Sequence, residues 1–133
     1  MDTNDKLIEA AKNGQVDLVE TLLAQVDDIN AKDNLFARTA LMWAARQGET
    51  AIVKILLDLG ADINAADKYG VTAVIVASMG GHLECVKYLV GEKGADVDAA
   101  DKNGMTAVMY ASQGGYLEIV EYLKSKGASL PVT

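Results

Sequence analysis

The segment DKYGVTAV at residues 67–74 recurs almost unchanged as DKNGMTAV at residues 101–108. Glycines recur with the same period, since Gly14, Gly48, Gly81 and Gly115 are separated by 34, 33 and 34 residues. A fixed period of this length is typical of repeat proteins, in which similar units stack on one another. The sequence therefore predicts four copies of one structural unit.

Each unit is predicted to contain a turn followed by two short helices. In the third unit, Gly70 suits the positive φ of a tight turn, and Thr72 is a candidate N-cap for a helix over 73–79. Gly81 suits the end of that helix, and apolar residues recur with a helical period over 82–90. Neither helix is long enough to be stable alone, so stacking of neighbouring units must bury their apolar faces.

The four units account for the whole chain as a single domain. Their approximate bounds are 1–32, 33–66, 67–100 and 101–133. The first and last units carry polar residues where the inner units are apolar, which is typical of capping repeats. We therefore expect a complete array with a cap at each end.

The repeated pattern resembles the ankyrin repeat. Residues 39–64 carry the second part of its motif, with TALMWAA at 39–45, Gly48, Val53 and GADIN at 60–64. The resemblance covers essentially the whole chain. It implies an all-α ankyrin-repeat solenoid, in which stacked helix-turn-helix units are linked by β-turn or hairpin loops.

Departures from the family pattern predict local distortions without a change of fold. The Thr-Pro-Leu-His of the family is replaced at 39–42, 72–75 and 106–109, so the proline and the histidine that pin the turn are missing. The second unit has one extra residue in a turn without glycine, at 34–38. The third unit has one extra residue before Gly94.

The composition limits the chemistry that 133 residues can support. A net charge of −7 argues against a nucleic-acid partner, because binding phosphates needs a basic surface. One cysteine, Cys85, and one histidine, His82, provide no disulfide framework and no metal site. Asp33, Asp67 and Asp101 recur at one turn corner, where aspartate bonds its own backbone. We therefore expect no catalysis, no cofactor and no small-molecule substrate.

The chain shows no recognisable targeting or membrane segment. The first residues are polar and acidic, unlike a signal peptide, and the most apolar stretch, 71–79, is too short to span a bilayer. We expect a cytoplasmic protein without a membrane partner.

The family resemblance also implies a concave groove, lined by the turn tips and the short first helices, that holds a partner protein. At the matching positions of this chain it predicts a surface of basic, aromatic and apolar side chains. The members of this candidate surface are Lys12, Lys32, Leu35, Phe36, Arg38, Trp43, Arg46, Gln47, Lys68, Tyr69, Val71, Met79, Lys102, Asn103, Met105, Tyr110 and Gln113.

The candidate surface holds six of the twelve basic residues and, apart from the three turn aspartates, no acidic residue. Two interpretations stay open. The lysines could merely solvate the turn tips, or the groove could bind an acidic peptide or protein surface with aromatic anchors. The second interpretation predicts that Arg38→Glu combined with Arg46→Glu abolishes partner capture and leaves the fold intact.

Two other functions remain open at this stage. Leu35 and Phe36 could mediate self-association of a structural or scaffold protein, although we expect a monomer. A secreted effector could use the same binding surface. We further expect the terminal repeat to be the least stable part of the array.

Overall fold

The structure, a computed structural model, describes residues 2–130. Within this range the regular elements are helices, and one isolated antiparallel bridge joins Ala100 to Thr106. The helices are α1 (Thr3–Lys12), α2 (Val16–Leu23), α3 (Ala40–Gln47), α4 (Thr50–Asp58), α5 (Ala73–Met79), α6 (Leu83–Lys87), α7 (Ala107–Gln113) and α8 (Leu117–Ser125). A π-helical segment, Tyr88–Glu92, directly follows α6. The predicted all-α class is confirmed.

The helices form two layers, because each repeat contributes one first helix and one second helix. The first helices α1, α3, α5 and α7 pack on one another in chain order, and the second helices α2, α4, α6 and α8 do the same. Each first helix also packs on the second helix of its own repeat. Large buried side chains such as Leu7, Leu41 and Leu56 come from both layers. The arrangement is the predicted helix-turn-helix solenoid.

The turns before the first helices are closed by backbone pairing and by aspartate, as predicted. The N–H of Asp67 donates to the carbonyl oxygen of Val71 at 2.9 Å. Oδ1 of Asp67 accepts the N–H groups of Tyr69 at 2.8 Å and of Val71 at 3.0 Å. Gly70 has a φ of 80°, the positive value that the turn requires.

The glycine that ends a first helix also admits a side chain from the next repeat. Gly48 has a φ of 72°, and a Cβ at this position would lie 2.5 Å from Nδ1 of His82. Nε2 of His82 lies 2.9 Å from the carbonyl oxygen of Arg46, close to the end of α3. His82 therefore joins the second and third repeats.

The threonines that precede the first helices differ in what their hydroxyl groups bind. Oγ1 of Thr39 accepts the N–H of Met42 at 3.3 Å, as a helix N-cap should. Thr72 and Thr106 occupy the same position, but their hydroxyl oxygens are buried and have no hydrogen-bond partner within residues 2–130. The expected capping bond of Thr72 is therefore absent.

The two extra residues produce the local distortions that the sequence predicts. The single helix expected over 82–90 is instead α6 followed by the π-helical segment, because a π-turn accommodates one more residue than an α-turn. In the second repeat, Ala37 takes the left-handed conformation, with a φ of 59°. Ala37 immediately precedes Arg38, the last residue of its turn, and Gly70 immediately precedes Val71, the last residue of the turn in the third repeat.

Candidate protein-binding surface

The turn tips of successive repeats are joined into one continuous edge. The N–H of Lys68 donates to the carbonyl oxygen of Phe36, and the N–H of Lys102 donates to that of Tyr69, each at 2.9 Å. Nζ of Lys32 reaches the carbonyl oxygen of Ala66 at 2.9 Å. The regular stacking of these tips beside the first helices positions the candidate surface.

The residues of the candidate surface fall into three groups by exposure. The exposed members are Lys32, Leu35, Arg46, Gln47, Lys68, Tyr69, Met79, Lys102, Asn103 and Gln113. The half-buried members are Lys12, Phe36, Arg38, Met105 and Tyr110. The buried members are Val71 and Trp43, each with 7% of its surface exposed.

Val71 does not fit the expected role of a partner contact. Its backbone is paired with Asp67 at both the N–H and the carbonyl oxygen, and its side chain packs into the hydrophobic core. The spacing of the turn predicted Val71 at the tip. In the structure the two hydrogen bonds between Asp67 and Val71 close the turn, and the Val71 side chain lies in the core. Trp43 was expected at the surface and is also almost fully covered.

Each turn aspartate uses its second carboxylate oxygen to bind a side chain, a feature that sequence reasoning missed. Oδ2 of Asp33 accepts the indole N–H of Trp43 at 2.7 Å. Oδ2 of Asp101 accepts the hydroxyl of Tyr110. Trp43 and Tyr110 occupy equivalent positions in α3 and α7. The second and fourth repeats therefore bind the second oxygen of their turn aspartate in the same way.

The third repeat departs from this pattern because Val76 stands at the equivalent position and has no donor. There Nε of Arg38, from the turn of the preceding repeat, donates to Oδ2 of Asp67 at 3.2 Å. Asp67 is buried and the Arg38 side chain is nearly so. Two features of the sequence together could have indicated this ion pair: the lack of a donor at Val76, and the presence of a basic residue, Arg38, in the turn of the preceding repeat.

These hydrogen bonds shift the pKa values of the groups that form them. Burial opposes ionisation of Asp33, but the N–H of Phe36 and the indole of Trp43 outweigh it and lower the pKa of Asp33. Burial likewise opposes ionisation of Asp101, and the Tyr110 hydroxyl with backbone N–H groups lowers the pKa of Asp101. The bond to Asp101, followed by burial, raises the pKa of Tyr110 to about 12.

Cations surround the indole of Trp43 on the candidate surface. Nζ of Lys12 lies 4.2 Å from the ring centroid, and the guanidinium carbons of Arg38 and Arg46 lie 4.8 Å and 5.6 Å from it. These distances are within the range of cation–π attraction. Trp43 therefore lies beneath the surface, with three basic side chains around its ring.

A second aromatic pair lies at the turn tips. The rings of Phe36 and Tyr69 are tilted, with centroids 6.3 Å apart. Nζ of Lys68 lies 5.3 Å from the Phe36 centroid and 5.2 Å from the Tyr69 centroid. The surface thus offers apolar rings and positive charge side by side.

The structure changes the interpretation of Arg38. A glutamate at this position would place a carboxylate against the buried carboxylate of Asp67, where the native ion pair now lies. We therefore expect Arg38→Glu to destabilise the fold, in contrast to the expectation from the sequence alone. Arg46 is exposed and makes no salt bridge with any residue in the described range, so it is the suitable position for a charge change.

The basic character of the surface is weaker at its amino-terminal end than the sequence indicates. Nζ of Lys12 lies 3.8 Å from Oε1 of Glu9. Asp5 and Glu9 line the same depression as Leu35, although neither belongs to the candidate surface. The positive charge is thus concentrated between the second and fourth repeats.

The cysteine of the chain, Cys85, is free and buried. Burial raises the pKa of the Cys85 thiol to about 12, so this thiol stays protonated at neutral pH. No group of three or more histidine, cysteine, aspartate or glutamate side chains in residues 2–130 is arranged to hold a metal ion. In the same range, no helix has the length and apolar character that crossing a membrane requires.

A comparison with protein families decides the family. A model described as ankyrin repeats, in three copies, matches residues 7–101 and 70–133. The chain belongs to the ankyrin-repeat family. Ankyrin repeats generally act as protein-protein interaction modules and are typically not enzymes. A comparison of this ankyrin-repeat chain with curated proteins gave no match.

Proposed function

We propose that this ankyrin-repeat protein binds a partner protein or peptide along the exposed and half-buried members of the candidate surface, which we call the groove. The proposal rests on the exposure of large apolar side chains beside basic side chains that form no salt bridge within residues 2–130. Leu35, Tyr69 and Met79 are 65%, 50% and 46% exposed. Exposed aromatic and apolar groups next to basic side chains are typical of surfaces that bind proteins.

The charge of the groove favours an acidic partner. Lys68, Lys102 and Arg46 are exposed and form no salt bridge within residues 2–130. Of the turn aspartates that lie nearby, Asp67 is paired with Arg38, and all three bind backbone N–H groups of their own turns. A chain of net charge −7 would repel an acidic partner over most of its surface, so local positive charge directs that partner to the groove.

Affinity capture from a lysate of the source cells tests this proposal. The groove variant combines Tyr69→Ala with Met79→Ala, which removes exposed apolar area and leaves the core unchanged. The matched control combines Leu18→Ala with Leu59→Ala, because these two leucines are also exposed but belong to the second-helix layer. We expect the native chain and the control to retain the same proteins and the groove variant to lose them. Equal retention by the groove variant would contradict the proposal.

Self-association is the second candidate, and the exposure of Leu35 at a turn tip favours it. Light scattering at several protein concentrations distinguishes the two functions. We propose a monomer, whose mass does not change with concentration. A dimer that Leu35→Asp dissociates would instead support self-association. For the setting of this function we propose the cytoplasm, and the free, buried thiol of Cys85 is consistent with that compartment.

A further inference from the structure

Both arginines of the chain, Arg38 and Arg46, line one depression of the groove. The other ten basic residues are lysines. The depression lies between α3 and α5 and has a volume of about 400 Å³. Its remaining lining residues are Gln47, Val76, Met79 and Gly80.

The depression contains hydrogen-bond donors that lack acceptors. Arg38 uses Nε to bind Asp67, while its Nη1 is buried and has no partner among the described residues. A buried donor without a partner is unfavourable, so an acceptor that reaches this guanidinium would restore a hydrogen bond. Arg46 holds a second guanidinium on the same indole ring, 5.6 Å from the centroid of Trp43.

Guanidinium groups are well suited to bind anionic acceptors with two oxygens, such as carboxylates. The planar group offers two parallel N–H donors that match the two oxygens of a carboxylate, whereas a lysine acts as a point charge. Gln47 adds an amide that can also donate a hydrogen bond. Met79, which is 46% exposed, provides apolar surface for a methylene stem. Gly80 makes room for the imidazole of His82, whose Nε2 would lie 2.6 Å from a Cβ at this position.

We propose that this depression is a subsite for the side-chain carboxylate of a glutamate or aspartate in an extended peptide partner. The inference rests on the proposed function of the groove. The turn tips of the second, third and fourth repeats are joined beside the depression by the backbone bonds from Lys68 to Phe36 and from Lys102 to Tyr69. A peptide that follows the groove therefore carries an internal side chain over Arg46, and its free carboxyl end lies elsewhere.

Selection from a displayed library of random dodecamer peptides tests the subsite. We expect selected peptides to share an acidic residue at one position. A synthetic copy of one selected peptide, with its glutamate replaced by glutamine, should bind the native chain about tenfold more weakly, because a charge-assisted hydrogen bond is lost. Against Arg46→Gln the acidic and the neutral peptide should bind with equal affinity.

A matched variant removes one positive charge far from the groove. Lys124 is exposed on α8, and Lys124→Gln should retain the full preference for the acidic peptide. Circular dichroism should show the same helix content in both variants and in the native chain.

The possible failures are distinguishable. If no peptide is selected, both the proposed function and the subsite are contradicted. If peptides bind without a shared acidic position, or if Arg46→Gln keeps the preference for the acidic peptide, the subsite alone is contradicted and the groove stands.

Discussion

Nε of Arg38 lies 3.2 Å from Oδ2 of Asp67, so the second repeat supplies a hydrogen bond that the third repeat cannot form within itself. In the second repeat the equivalent oxygen, Oδ2 of Asp33, accepts a hydrogen bond from Trp43. In the fourth repeat Oδ2 of Asp101 accepts one from Tyr110. Val76 replaces that donor in the third repeat. The ion pair thus couples two repeats, beyond the packing of their helices, and it also fixes one wall of the proposed carboxylate subsite.

The first prediction concerns the two arginines. Arg38→Met should lower the free energy of unfolding by about 3 kcal/mol, because it leaves the buried carboxylate of Asp67 without its cation. Arg46→Met removes the same group from an exposed position and should change that free energy by less than about 0.5 kcal/mol. Urea unfolding followed by circular dichroism measures both. Equal stability of the two variants would contradict the role assigned to Arg38.

The second prediction concerns the turn of the second repeat. Ala37 has a φ of 59°, a conformation that costs an alanine about 1 kcal/mol relative to glycine. Ala37→Gly should therefore stabilise the protein, by up to about 1 kcal/mol. Gly70→Ala should do the opposite, because its φ is 80° and a Cβ would lie 3.0 Å from the backbone nitrogen of Lys102. A shift of the two unfolding midpoints in the same direction would count against this account.

The third prediction compares two threonines with the same place in the repeat. Thr39→Val removes the acceptor of the Met42 N–H and should destabilise the protein by about 1 kcal/mol. Thr72→Val removes a buried hydroxyl that has no partner and should be neutral or stabilising by up to about 1 kcal/mol. Thermal unfolding distinguishes the variants. A larger loss for Thr72→Val than for Thr39→Val would show that the Thr72 hydroxyl is satisfied in solution.

The fourth prediction is a pH dependence. Because the folded pKa of Asp101 is lowered, its bonds contribute stability above its unfolded pKa of about 3.9, and this is lost as the pH falls through the folded value. The pKa of Tyr110 is raised to about 12, so its contribution is complete below an unfolded pKa of about 10 and is lost as the pH rises toward 12.

Tyr110→Phe removes the side-chain bond that contributes to both shifts. We expect it to lower the free energy of unfolding by about 1 kcal/mol at pH 7. The difference from the native chain should shrink below about pH 4 and again above about pH 10. Urea unfolding at pH 3, 7 and 10.5 provides the measurement. A difference that stays constant over this range would contradict the assigned bond.

The fifth prediction concerns the ends of the array. The fourth repeat packs against a neighbour on one side only within residues 2–130, whereas the second repeat packs on both sides. Native-state hydrogen exchange should therefore be faster at Val120 and Leu123 than at Val53 and Leu56. Slowest exchange at Val120 and Leu123 would contradict the expectation that the terminal repeat is the weakest.

The repeat period and its glycines were sufficient to predict the solenoid. Gly70 and Gly48 lie at turns and helix ends where only a positive φ closes the chain, and such local requirements appear directly in a sequence. The extra residue of the third repeat was visible too, but its form as a π-helical segment accompanies contacts with residues that are distant in the sequence. Tyr122, for example, comes so close to Gly91 that a Cβ there would lie 2.6 Å from its hydroxyl oxygen.

The candidate surface was harder to predict because its contacts join residues far apart in the chain. The period gives the positions of Arg38 and Asp67 but does not show that they form an ion pair. The lack of a donor at Val76 indicates an unfilled oxygen on Asp67 only after the bond from Tyr110 to Asp101 has been observed at the equivalent position of the fourth repeat. Val71 was misplaced for a similar reason, since the spacing of a turn does not determine which of its side chains points into the core.

The central claim, that the groove is the binding surface, is tested most directly by mapping backbone amide chemical shifts. The native chain would be titrated with a partner from affinity capture or with a peptide selected from the library. The account predicts that shifts concentrate at Leu35, Arg46, Tyr69, Met79 and Lys102. Shifts confined to the second helices α2, α4 and α8, with these groove residues unchanged, would contradict it.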